Sequence, residues 1–549
     1  MQLTQVQAEA ETSLQILQAI GQGDFGIAAD EAKPRVMNIS MYCYKSFAVR
    51  GFHALARECG VEVVSVFFKE TGDNNHKQVT PAETALLLEL IRDFAPEVIT
   101  FSVMACYVPA TREVVSAIKA ATDAPIVIGG KFPTISPTDA LEFANFACKG
   151  EGELPFITIC ERLRAGRDLT DIQGLWYLDT DGNPVDMGQA RLFEDIDDIP
   201  FQSVGEPGLY FIEDDQITTE DPELQNPQIW VMAGRGCVYL CSYCVNSLLI
   251  PMNRGNGRFI RMRSPDSIID EIVALREKQP NARAVSFNDE VFGVFDDWTE
   301  EFCRKYKERV GLPFLCELIP KLIKPHNIEL LADAGLTELH FGIQSGSDDI
   351  RNVVLKRPGN NAEMIEKAEM LVRYGVKPEY DLILGNPFDT VEVMEETIDL
   401  LLALPRPMFL DTFKLSYFPY YPLTMRALEA GHISEQDVTY EAIADAVMYN
   451  YFFIPKVSSD RKDTLEAAIY LLSWDSVITR ALAAATRKGR IPLVGSIVGL
   501  LAVMRYQQTF GRNRTLNNLR RLYLGMQMVF RGDLKLLFSK VQNVLLRPT

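Results

Sequence analysis

Several things are missing from this chain of 549 residues, and each absence closes off a class of function. No apolar run reaches the roughly 18–20 residues that a bilayer span needs. Excess positive charge is absent: the net is −19 at pH 7, which argues against a chain that binds nucleic acid as a whole. No secretory leader is visible, because residues 1–33 are polar and acidic and read as a helical extension. Nor is there a disulfide framework. Of ten cysteines, seven stand singly, most of them inside apolar segments (Cys106, Cys148, Cys160), where free cysteine packs as a small hydrophobe. A reducing cytoplasm is the expected compartment. The other three cysteines are bunched within eight residues, as metal ligands would be.

What is present is an ordinary globular composition, 47% apolar and 23% charged, at a length that calls for about two to four domains. The fold class is α/β. Residues 34–170 alternate β-rich runs (36–42, 61–68, 98–103, 124–128, 146–148) with helical stretches. That alternation predicts a parallel sheet covered on both faces, a flavodoxin-like (Rossmann-type) domain with ligands at the carboxyl ends of its strands. Residues 171–226 read as a connector holding a small hairpin around Asp179–Pro184 and an acidic loop near Pro200. A second series over 227–423 has runs at 228–232, 284–288, 314–318, 338–342, 377–384 and 409–416. Six βα units predict a partial (β/α)6 barrel with its chemistry at the strands' C-terminal ends. Residues 424–549 read as helical.

The three clustered cysteines, Cys237, Cys241 and Cys244, follow the first barrel strand with the spacing C-x3-C-x2-C. Zinc normally takes four protein ligands, and no fourth Cys or His lies nearby. Three thiolates can instead hold three irons of a 4Fe–4S cluster and leave the fourth open. A zinc knuckle completed from a distance, or three buried thiols, is the bland alternative.

With Tyr243 before its last cysteine, the triplet resembles the radical S-adenosylmethionine (SAM) signature. In that family the open iron chelates SAM, and reductive cleavage yields a 5′-deoxyadenosyl radical. Later motifs resemble the family's in order. Asp289 and Glu290, after the second strand, sit where groups meet the methionine ammonium. Gln344, Ser345 and Arg357 fall in the segment that contacts ribose and carboxylate, although the family often has Glu at Gln344. Gly385 belongs to the motif that packs beside adenine.

The first domain in turn resembles the cobalamin-binding domains that precede many radical SAM barrels. The resemblance rests on Ser102 and Met104 after the third strand, Gly129, Gly130 and Lys131 after the fourth, and Glu151 and Gly152 after the fifth. It implies that these residues contact cobalamin, with the glycines giving backbone access to the corrin and Ser102 a hydrogen bond. Tyr44 and Ser46, on the first loop, are further candidates, with helix capping as the alternative for Ser46. The D-x-H-x-x-G signature that supplies a histidine to cobalt is absent, and Asp73–His76 has the wrong spacing. We therefore expect no protein histidine on cobalt.

Residues 487–549 carry a local net charge of +11, so the preceding chain carries about −30. A basic helical lid and a peripheral contact with anionic lipid both fit this segment. The resemblance implies methylation of an unactivated carbon, with a small-molecule or hydrophobic substrate and a low-potential donor such as flavodoxin or ferredoxin. A cobalamin-dependent cyclase or rearrangement enzyme keeps the same cofactors, and a non-catalytic cobalamin or redox sensor is the reading from another class. Tyr417, Phe418, Tyr420 and Tyr421 could line the substrate pocket or belong to the core. No catalytic side chain is singled out.

Overall fold

A computed structural model describes residues 11–19, 33–70, 78–449, 455–458, 460–489 and 498–502. His76 and most of the basic C-terminal segment lie outside the described residues.

Apolar β-branched runs bounded by Gly, Pro and capped helices produce a sheet buried on both faces. The first sheet has five parallel strands in the order β5-β4-β3-β1-β2: β1 (Arg35–Met41), β2 (Glu62–Phe68), β3 (Val98–Ser102), β4 (Ile126–Gly129) and β5 (Phe146–Cys148). This is the flavodoxin-like order. Helices α1 (Phe47–Glu58), α2 (Pro81–Phe94), α3 (Val108–Ala121) and α4 (Glu153–Arg164) cover it. Thr80 and Glu83 form a capping box at the start of α2, which supplies partners to otherwise orphaned N–H groups.

The segment expected to be a connector is part of this sheet. The hairpin of β6 (Leu175–Leu178) and β7 (Pro184–Asp186) adds antiparallel to β5, while β8 (Leu209–Glu213) runs parallel to β2 and pairs with β9 (Gln216–Thr218). Nine strands result. Backbone groups at both sheet edges find partners this way, something the composition of 171–226 does not reveal.

The second sheet is a six-stranded parallel array in sequence order: β10 (Gln228–Val231), β13 (Ala284–Phe287), β14 (Phe314–Glu317), β15 (Leu336–Gln344), β16 (Lys377–Leu384) and β17 (Phe409–Lys414). Between β10 and β13 lies a two-stranded ribbon, β11 (Gly234–Arg235) with β12 (Arg261–Met262). Outward-facing Leu339, Phe341, Tyr380 and Leu382 join the main core under the barrel helices.

The C-terminal residues pack back onto both parts. The Tyr440 ring stands edge-on to Phe132 with centroids 5.1 Å apart, and its hydroxyl donates to Asp139 at 2.5 Å. Helix α5 (Arg461–Leu472) is tied to the barrel through Arg461 and Glu395, 2.6 Å apart. No described helix is long and apolar enough to cross a membrane.

Candidate functional site

The cysteine loop begins at the ribbon and is fixed at several points. Gly236 has φ +92°, and a Cβ there would lie 2.5 Å from the Phe259 carbonyl oxygen, so only glycine fits. Downstream, the Ser242 hydroxyl donates to the Val354 carbonyl at 2.7 Å, and the Cys244 N–H donates to the Cys241 carbonyl at 3.0 Å. Cys237, Cys241 and Cys244 share one small apolar cluster with Tyr239, Tyr243, Val291 and Ile319. No disulfide joins any of the ten cysteines.

Burial pushes the Cys237 thiol up to about 11 and also raises Cys244. Such thiols are poor nucleophiles on their own. A bound cation reverses that preference and deprotonates them outright, so the trio fits a metal cluster better than a reactive-thiol site. Arg357 lies over the Tyr239 ring, 5.6 Å from its centroid, and its Nη1 is 3.9 Å from the Cys241 sulfur.

Two of the residues expected to meet SAM have partners inside the protein. Asp289 is buried, and its carboxylate accepts from the backbone N–H groups of Ala233 and Gly234 at 3.1 and 2.5 Å. It anchors the start of the cysteine loop. The Ser345 hydroxyl accepts from the Ser347 N–H at 3.2 Å, closing a local turn. Glu290 remains open: it accepts from Asn246 at 2.9 Å, and the Lys131 ammonium is 4.0 Å away. Gln344 adopts φ +66°, unusual for a side chain-bearing residue, and occupies the space that a side chain at Gly342 would fill. Gly385 has φ +74°, and a Cβ there would meet only Lys414 Cγ at 4.0 Å, an ordinary contact, so the turn is what calls for glycine there.

Two cavities lie along the carboxyl edge of the first sheet. One, of about 350 Å³, is lined by Phe52, Ser102, Gly129, Gly130, Glu151 and Gly152, among others. The other, of about 470 Å³, lies between the two sheets, with Met104, Lys131 and Phe132 on one wall and Tyr243, Cys244 and Gln344 on the other. Phe418 and Tyr421 line it too, whereas Tyr417 packs against Leu355 and Leu423 and Tyr420 is exposed. No histidine lines either cavity among the described residues. His53 is buried elsewhere, bonded to Ser65 and the Pro207 carbonyl.

Five residues expected to contact cobalamin have structural duties. A Cβ at Gly130, which has φ +100°, would lie 2.8 Å from the Val103 carbonyl oxygen, and one at Gly152 would lie 2.8 Å from the Phe52 ring. Their smallness is required by the protein's own packing. Tyr44 packs edge-on to Phe211, and Ser46 caps α1 by accepting from the Val49 N–H; neither lines either cavity. Glu151, while lining the first cavity, grips Arg261 with both carboxylate oxygens at 2.5 and 2.9 Å and lies 3.4 Å from Arg235. Glu153 holds Arg235 at 2.7 Å. This clamp ties the first sheet to the ribbon that starts the cysteine loop. Two acids and two arginines far apart in sequence gave no local signal of it.

The B12 binding domain matches residues 42–159, and the Radical SAM superfamily domain matches residues 231–401. The chain belongs to the B12-binding radical SAM proteins. An uncharacterized methyltransferase of Pyrococcus horikoshii is 24% identical over 281 residues, which are 50% of this chain and 56% of that protein. The chain thus matches little more than half the length of that relative.

Among solved structures, the radical SAM methyltransferase TsrM of Kitasatospora setae, with tryptophan substrate and aza-SAM bound, superposes with a TM-score of 0.58. It is 18% identical, covering 72% of this chain and 76% of that one. The cobalamin-dependent radical SAM enzyme OxsB, with aqua-cobalamin and SAM bound, gives a TM-score of 0.60 at 13% identity, covering 97% and 86%. These likenesses show the fold. As a radical SAM enzyme with a B12 domain, this chain uses a 4Fe–4S cluster, SAM and cobalamin.

Proposed function

We propose that this enzyme methylates an unactivated carbon of a small molecule, with SAM and cobalamin brought together in the cavity between the two sheets. One observation carries the reading: Met104 and Lys131, from the cobalamin-domain loops, line the same cavity as Tyr243 and Cys244 of the cysteine loop. When bound, the cofactors supply radical generation and a transferable methyl group.

The chain's own residues hold, orient and enclose. Cys237, Cys241 and Cys244 would hold the cluster, and Asp289 keeps their loop at the end of β10. Glu290 offers a carboxylate to an ammonium. The Glu151 and Glu153 clamp sets the distance between the two domains' loops. Apolar Phe52, Phe156 and Ile159 give the first cavity a dry wall suited to a large organic cofactor. The enzyme takes its electrons from a low-potential donor of the flavodoxin or ferredoxin class, and no protein histidine binds cobalt.

Anaerobically reconstituted enzyme, supplied with a low-potential reductant and a metabolite extract, tests this reading. Methyl transfer yields S-adenosylhomocysteine together with 5′-deoxyadenosine. Formation of 5′-deoxyadenosine alone indicates a cyclase or rearrangement enzyme, and absence of SAM cleavage indicates a sensor. Replacing all three cysteines by alanine should abolish the cluster's absorbance and SAM cleavage together. Nitrogen superhyperfine splitting in the electron paramagnetic resonance spectrum of the cob(II)alamin form would refute the expectation about histidine.

A further inference from the structure

The cysteine loop has two faces. Tyr243 and Cys244 turn to the cavity between the sheets. Val238 and Leu240, on the same loop, are each 43% exposed and line neither cavity.

Two further segments are bonded to the loop and extend its apolar outer face. The first is the helical turn Ile350–Val354 with the residue after it. Ser242 donates its hydroxyl to the Val354 carbonyl at 2.7 Å and its N–H to the Leu355 carbonyl at 2.9 Å. The second is the helix Pro422–Glu429, whose Leu423 N–H donates to the Ser242 carbonyl at 3.0 Å. Its Arg426 Nη1 in turn donates to the Val353 carbonyl at 3.2 Å. Each segment carries one large exposed apolar side chain, Val353 at 60% and Met425 at 43%. Exposed apolar residues scattered singly need no explanation, but four on segments bonded to one another form a patch of the kind that marks a protein interaction site.

The patch is edged by cations. Lys356 follows the turn, Arg426 is next to Met425, and Lys321 lies between Ile319 and Leu322, which pack against Cys237 and Tyr239. All three are exposed, and none has an ion pair among the described residues; the Arg426 guanidinium stands 4.9 Å from the Phe388 ring centroid. Of the acids on these segments, Asp348 is held by Arg351 at 2.7 Å. Asp349 and Glu429 stand at the ends of the turn and the helix opposite their Ser242 contacts. In a chain of net charge −19, three unpaired cations beside the cysteine loop are a local reversal of sign. Like charge also disfavours the chain's own basic segment, 487–549, as the cover for this face.

We propose that this patch is the docking site of a flavodoxin, an acidic one-electron carrier whose exposed flavin edge is apolar. Val238, Leu240, Val353 and Met425 meet the flavin edge, and Lys321, Lys356 and Arg426 meet the carboxylates around it. Redox encounters are among the smallest protein interfaces, so four apolar side chains with a charged rim suit one, and the rim steers the approach. Docking here rests on the reading above that a low-potential carrier supplies the enzyme's electrons. It brings the flavin to the side of the loop away from the cavity, so the carrier does not obstruct the substrate. The step is one electron: the reduced flavin is oxidised by one electron, which passes to the cluster held by the three cysteines, and no bond forms or breaks.

Reconstituted holoenzyme titrated into ¹⁵N-labelled flavodoxin tests this by NMR. Amide signals around the flavin should broaden, with an affinity that falls as salt rises. The variant Lys321→Glu, Lys356→Glu should weaken binding by about tenfold or more, and Val353→Ser, Met425→Ser by several-fold. With titanium(III) citrate as the reductant, both variants should cleave SAM as the wild type does. Flavodoxin bound equally by the wild type and both variants overturns the proposal. Loss of citrate-driven cleavage in the variants assigns these side chains to the loop's own structure and overturns it as well. Tighter binding of a ferredoxin than of flavodoxin, or a wild-type dimer that Val353→Ser, Met425→Ser dissociates in sedimentation, gives the patch to another occupant, again overturning it. The donor reading fails on a different result: wild-type enzyme that accepts electrons from neither carrier while citrate still drives SAM cleavage.

Discussion

The two parallel sheets present ligand-facing ends of opposite character. At the carboxyl edge of the first, glycines and phenylalanines dominate, and Gly130 and Gly152 are small because Val103 and Phe52 crowd them. In the barrel, charge dominates: Arg357 beside Cys241, Asp289 on the loop backbone, and rows of acid across β14 to β17. One architecture can therefore shape a site by excluding volume or by placing charge. The first domain should respond chiefly to changes of size and the barrel to changes of charge.

The largest expected effect is an exception that sharpens this contrast. Arg50 and Asp221 form a fully buried, two-pronged pair in the first domain at 2.8 and 2.9 Å. Asp221→Ala strands the guanidinium, and chemical denaturation should show a loss of about 3–5 kcal/mol. Gly130→Ala comes next. Its φ of +100° and the Val103 carbonyl 2.8 Å from the added Cβ predict a cost of about 1–3 kcal/mol, together with weaker cobalamin binding measured by absorbance titration.

In the barrel the test is pH. His340 has a folded pKa raised to about 9 from an ordinary value near 6.5. Its contribution to stability is therefore full below about pH 6.5 and lost as pH rises through about 9. Melting temperatures between those values should fall more steeply for the wild type than for His340→Gln, whose residual slope comes from Glu379, pushed up to about 8 chiefly by burial; parallel curves would show that the His340 pairing with Glu338 is energetically idle. The smallest effect has the opposite sign. Asp381→Asn removes a like-charge neighbour of Asp411 and should stabilise the ligand-free protein by about 0.2–1 kcal/mol, read by differential scanning fluorimetry.

Much of the fold is legible in the residues. Alternating β-rich and helical runs signal both parallel sheets, and the bunched cysteines stand out because thiolates on one short loop have few other uses. The limits are equally physical. Residues 171–226 read as a connector because short polar-flanked strands have no periodicity to show, yet β8 completes the sheet beside β2. Asp289 looked like a partner for an ammonium, but only the folded chain shows its oxygens turned to Ala233 and Gly234. Tyr44 and Ser46 sit on the expected loop but turn away from both cavities.

The amino-acid order by itself determined the element types, the two-sheet organisation and the cysteine loop, because periodicity, turn residues and ligand spacing are local properties. Tertiary structure alone decided which acids meet arginines and which stand opposite a like charge. Glu151 with Arg261, and Asp381 with Asp411, lie 110 and 30 residues apart, and only strand register and domain docking bring them within reach of each other's charge.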